Sequence, residues 1–252
     1  MASSAGSNWT RFPKAPIKEA VLDLRVELPS TVKLDRLSTF QEKIGERFPQ
    51  KRERKHWEAM LGFNEGGLQA PVSKGGVDGF LFTSADGLNT VQARLDGFTF
   101  NRLHPYDRWE TFRDEAKRLW EHYLQIATPT AVKRLALRYI NRLELPLPFK
   151  DFKEYILTTP EIAPTLPQGL KTFFMRLEIP HDSYQAVAII TETMEAPTDN
   201  LRLPLILDID VIRETTVSPS SSEIWQAFEQ LRDFKNEIFF NSITERAKEL
   251  FR

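Results

Sequence analysis

Apolar side chains recur along this chain with two periods, and the switch between them marks out the elements. From 19 to 28 they alternate: Leu22, Leu24 and Val26 fall on one side, Asp23, Arg25 and Glu27 on the other. That is the pattern of a strand with one buried face. Past Pro29 the spacing lengthens, and Leu34, Leu37, Phe40, Ile44 and Phe48 predict a helix over 32–48. Strand spacing returns at 79–84 and 89–96 and continues through Phe98 and Phe100. A long helix is predicted over 106–125, with Asp107 and Glu110 as a capping box. Its core stripe is Trp109, Phe112, Ala116, Leu119, Trp120 and Tyr123.

Thr128, Pro129 and Thr130 break the pattern, after which the order recurs. A strand is predicted over 132–145, a short helix near 149–157, and a loop marked by Pro160, Pro164 and Pro167. Strands follow at 171–179, 185–194 and 203–213. Ser220 and Glu223 are the predicted cap of a last long helix carrying Trp225, Phe228, Leu231, Phe234, Ile238 and Phe239. Trp109 and Phe112 thus come back as Trp225 and Phe228 almost half a chain later.

The expectation is an α+β fold built by internal duplication of a β-α-β-β-β-α unit. It has a lead-in at 1–15 that is flexible or partly docked, a first repeat at 16–128 and a second at 129–252. Two such units predict one continuous antiparallel sheet with the long helices on one face. The arrangement is analogous to the TATA-binding-protein-like saddle and the helix-grip folds, with a pseudo-twofold axis. The competing architecture is two separate sandwiches joined at residue 129.

With helices on one face, the alternation assigns the other to Asp23, Arg25, Glu27, Gln92, Arg94, Asp96, Arg134, Arg138, Arg142, Arg176, Glu178, Asp208 and Asp210. Mixed signs suit a solvated face, a network of cross-strand ion pairs, or a surface that meets a protein partner. The balance of 34 Lys+Arg against 35 Asp+Glu argues against a dedicated nucleic-acid binder. The chain has no cysteine, which excludes disulfides and thiolate chemistry. The first residues carry neither a basic nor an apolar region of a signal peptide, and no stretch nears a membrane span. A cytoplasmic protein is the expectation.

Candidate chemistry is sparse. Asp208 and Asp210 sit two apart on a strand, so both carboxylates point the same way. They could hold Mg²⁺ for phosphoryl or nucleotide chemistry, or simply answer arginines such as Arg138. His56, His104, His122 and His181 show no metal-ligand spacing. The basic run 51–56 reads as a solvated linker, and Ser73, Lys74, Gly75 and Gly76 as a turn without the phosphate-loop pattern. Most of the 11 glycines (Gly62, Gly66, Gly67, Gly75, Gly76, Gly79, Gly87 and Gly97) fall in this region of hairpins. A second echo sets Asn101 and Arg102 beside Asn141 and Arg142, pairs able to bond carbonyls or grip an anion. Neither a catalytic residue, a metal site nor a cofactor is assigned.

Several stretches taken together resemble a sporadically distributed, uncharacterised bacterial protein family. They are PIKEA at 16–20, DGFTFNRLHPY at 96–106 with Trp109, RYINR at 138–142, LDIDV at 207–211 and FFNSIT at 239–244. The patchy distribution implies mobile loci, including anti-phage defence and toxin–antitoxin modules. The leading expectation is a non-catalytic binding or adaptor protein of such a system, acting on a protein partner or as a homo-oligomer. Its candidate binding residues are Arg94, Asp96, Asn101, Arg102, Arg138, Asn141, Arg142, Asp208 and Asp210. The alternatives are a nucleotide-binding sensor or metal-dependent phosphoryl-transfer enzyme using Asp208 and Asp210, and a nucleic-acid-binding saddle.

Overall fold

A computed structural model describes residues 9–60, 63–64, 67–68, 72–197 and 200–252. Its strands are β1 (Ile17–Glu27), β2 (Gln50–Met60), β3 (Phe63–Asn64), β4 (Gly67–Leu68), β5 (Val72–Thr83), β6 (Asn89–Arg94), β7 (Gly97–Leu103), β8 (Ala131–Pro146), β9 (Phe174–His181), β10 (Ala186–Met194) and β11 (Arg202–Val217). The helices are α1 (Leu34–Ser38), α2 (Phe40–Ile44), α3 (Trp109–Ala127), α4 (Glu223–Ser242) and α5 (Glu245–Glu249). Nine strands form one antiparallel sheet in the order β2-β5-β6-β7-β1-β8-β11-β10-β9, and β3 pairs with β4. The fold is α+β. The sheet runs unbroken through residue 129, because β1 and β8 lie side by side at its middle, so the two-sandwich architecture is ruled out.

Register explains which face is buried. Leu22 and Leu24 of β1 pair with Phe100 and Phe98 of β7 on one side and with Leu137 and Leu135 of β8 on the other. This apolar row lies under α3 and α4. Phe98 meets Trp120 and Tyr123, and Phe100 stacks on Phe112. Ile224, Phe228, Leu231 and Phe234 of α4 are buried in the same core. Burying each such side chain contributes about 1.5–3 kcal/mol. Neither α3 nor α4, nor any other helix among the described residues, is long and apolar enough to cross a membrane.

Several expectations change. The helix over 32–48 is two short ones, because the Thr39 hydroxyl bonds the Arg36 carbonyl at 2.8 Å and ends the first turn. The basic run 51–56 is not a linker: its backbone forms edge strand β2, where a row of charges discourages edge-to-edge pairing. Ser73–Gly76 runs within β5 rather than turning. The helix expected near 149–157 is only a 3-10 turn, Phe152–Glu154, capped reciprocally by Asp151 and Glu154. The halves are therefore not identical β-α-β-β-β-α units. Asp107 does not cap α3 but pairs with Arg11, and the hydroxyl that meets the α4 start is Ser221, not Ser220. Trp109 is buried, whereas Trp225 lies one position off the α4 stripe and is only partly covered.

Within the lead-in, residues 9–15 are docked. Trp9 stacks on Phe240 at 5.2 Å, Phe12 packs on Phe240 and Phe251, and the Lys14 amide donates to the Phe251 carbonyl. Residues 1–8, Gly62 and Gly66 lie outside the described residues.

Candidate functional site

The face away from the helices carries its charges at the centre of the sheet. Asp23 on β1 stands opposite two small residues, Thr99 on β7 and Ala136 on β8. Longer neighbours reach across the space they leave. One Asp23 oxygen accepts from Arg94 at 2.8 Å and Thr99 at 2.7 Å; the other accepts from Arg134 at 3.2 Å, with Arg25 at 3.4 Å. Arg94 also meets Asp96 at 2.9 Å. Gly97 makes this possible: a β-carbon there would lie 2.2 Å from the Leu24 carbonyl and 2.7 Å from the Arg94 guanidinium. Burial pushes the Asp23 carboxyl up, but Arg94, Thr99 and Arg25 outweigh it and hold the group below its ordinary value.

A second chain of contacts runs beside the first. Arg54 pairs with Asp78 and donates to Gln92 at 3.1 Å, and Asn101 donates to Glu19 at 2.6 Å. Across β8, Arg138 grips Asp208 with two bonds of 2.9 and 2.5 Å, which raises the guanidinium above its ordinary value. Together these groups border a polar cleft of about 270 Å³. Within it Asp210 is the exception. Its Oδ1 is buried without a partner, and burial raises its carboxyl more than the nearby Arg138 lowers it, with Asp208 adding to the rise.

The structure divides the nine candidate residues. Arg94, Asn101, Arg138 and Asp210 line the cleft, while Asp208 borders it through Arg138. Asp96, half exposed, forms ion pairs with Arg25 and Arg94 from the turn between β6 and β7. Arg142 does not line the cleft but pairs with Glu144 and Glu195. Arg102 donates to the Pro105 carbonyl at 3.3 Å and braces the loop before α3. Asn141 belongs to the opposite, helix-covered face, where it donates to the Leu207 carbonyl at 3.0 Å. The Asn-Arg echo is therefore not a structural equivalence: Asn101 follows an inward-facing Phe100, whereas Asn141 is itself inward-facing.

Sequence reasoning missed Glu19, Thr99 and Arg54 as cleft residues. It also missed a second cavity on the helix side, of about 280 Å³, whose wall holds Lys235 and Tyr139. Each sits at a core-facing position of a regular element, where periodicity reports burial and hides polarity. Among the described residues no three His, Asp or Glu side chains gather into a metal-sized cluster. No protein-family model and no curated protein matches the chain.

Proposed function

We propose that this chain is a non-catalytic binding protein whose polar sheet face docks a protein partner or a second copy of itself. The observation that carries the reading is the cleft with its fixed, mixed charges. Arg54, Arg94, Arg134 and Arg138 face Glu19, Asp23 and Asp210 there. Exposed ion pairs contribute only about 0–1 kcal/mol each, and buried ones often no net stability, so stability does not require this array. A surface holding both signs in set positions matches another protein's mixed charges better than a uniformly negative phosphate backbone. Asp210 is the place for a partner's cationic group.

The strand order supports an internal duplication with a pseudo-twofold relation. In each half the first strand is central, the last lies next to it, and a long helix follows. The family resemblance supports a cytoplasmic component of a bacterial defence or toxin–antitoxin system. The metal-dependent alternative is weaker, since Arg138 already occupies both oxygens of Asp208.

Tagged wild-type protein recovered from its host, beside Arg138→Ala and Asp210→Asn, tests the reading. A partner or self-association is expected for the wild type and lost in both variants at unchanged fold. A monomeric wild type that retains no partner overturns it.

A further inference from the structure

The helix-side cavity lies between the docked segment 9–17, the loop before α3, β8 and α4. Lys235, on α4, is 8 % exposed, and its Nζ stands 3.8 Å from the Tyr139 ring centroid. It has neither a hydrogen bond nor an ion pair among the described residues. Of the two acids in the cavity wall, Asp107 pairs with Arg11 at 2.9 Å and Glu110 is exposed; beyond the wall, Glu229 accepts from Trp109 at 2.9 Å and Arg113 at 2.6 Å, and Asp233 accepts from Trp9 at 3.1 Å. Arg232, one turn before Lys235 on the same helix side, reaches Glu229 only at 3.9 Å. Asn236, also buried, lines the same cavity.

Lys235, Arg232 and Asn236 of α4 thus share one wall, and Trp109, Phe239 and Phe240 supply an apolar one. The hydroxyls of Tyr106 and Tyr139 bond each other at 2.7 Å between the two. Leaving an amine buried and unanswered is costly, and burial with the nearby Arg232 pushes Lys235 down to about 7. An anion in the cavity would relieve that cost. The volume, at the small end for ligand pockets, suits a compact molecule rather than a nucleotide.

We propose that this cavity binds a small organic carboxylate on a flat apolar body. Lys235 and Arg232 hold the head group, Asn236 donates to it, and Trp109 with Phe239 covers the body. The site lies on the opposite face of the sheet from the cleft and stands independently of it.

Calorimetry at pH 7 with phenylacetate and 2-phenylethanol, which differ in the head group, tests this. Phenylacetate is expected to bind at least about tenfold tighter, and Lys235→Met to erase the difference. Phenyl phosphate, run alongside, reports whether the planar head is preferred. A measurement on the wild type removes dependence on the variant's folding: phenylacetate should slow acetylation of Lys235 by acetic anhydride and leave exposed lysines unaffected. The proposal is overturned if phenylacetate fails to bind, if it binds no better than 2-phenylethanol or phenyl phosphate, if Lys235→Met folds and retains the preference, or if Lys235 is not protected.

Discussion

Asp23 on the polar face and Lys235 on the helix face are almost equally buried, at 7 % and 8 % exposure. Asp23 is met by Arg94, Thr99, Arg134 and Arg25, whereas Lys235 is met by an aromatic ring and open space. The first charge is built into the fold. The second is kept at a cost and waits for something outside the chain. Burial alone therefore says little about purpose. What distinguishes the two sites is whether the surrounding side chains complete the coordination of the charge.

The largest test of that contrast is Arg94→Ala. It strips the closest cation from a buried carboxylate and is expected to destabilise by about 3–5 kcal/mol in urea unfolding. A loss under about 1 kcal/mol would mean that the cluster behaves as solvated surface. Lys235→Met should act in the opposite direction, stabilising by roughly 1–4 kcal/mol near pH 6. The sign follows from protons. Lys235 loses its proton near pH 7 when folded but near 10.5 when unfolded, so between those values the unfolded chain binds more protons. The wild type gains stability as pH rises through that window, and the variant's advantage is full below about 7 and fades above it.

Glu192 offers the smallest and most discriminating case. It is buried on the helix side of β10, neither oxygen has a partner, and it lines neither cavity. Burial raises it to about 7, so the folded chain holds its proton where the unfolded chain has released it. Stability then falls as pH rises from about 4.5 to 7. Glu192→Gln should match the wild type at pH 4 and exceed it by about 1–3 kcal/mol at pH 8. It should leave binding at either cavity unchanged. If Glu192→Gln also abolished phenylacetate binding, the distinction between an unanswered charge and a ligand-facing one would collapse.

Much of the sheet could be read in advance because one-sided strands announce themselves. The alternation of Leu22, Leu24 and Val26 against Asp23 and Arg25 placed β1 and its polar face. The stripes of α3 and α4 located the core. Strand β2 was missed because an edge strand made of Lys51, Arg52, Glu53, Arg54 and Lys55 has no apolar rhythm. The site was only half legible. Arg94, Arg138 and Asp210 followed from parity, and the parity that sets Arg138 and Arg142 outward turns Asn141 inward, which the echo with Asn101 obscured. Lys235 follows Phe228 and Leu231 at core-facing spacing in α4, but its contact with the Tyr139 ring is one that no local pattern encodes.

The pairing of β1 with β8 has a consequence for how the chain reaches its fold. The first strand made is completed on one side only by a strand from the second half of the chain. During synthesis β1 can pair with β7 as soon as α3 emerges, yet its other edge stays open until β8 arrives. Such a long-range closure slows folding, and the open edge invites pairing with another chain in the meantime. The same seam makes complementation possible: fragments ending and beginning near Pro129 each present half of the central ladder, and each carries the edge that the other lacks.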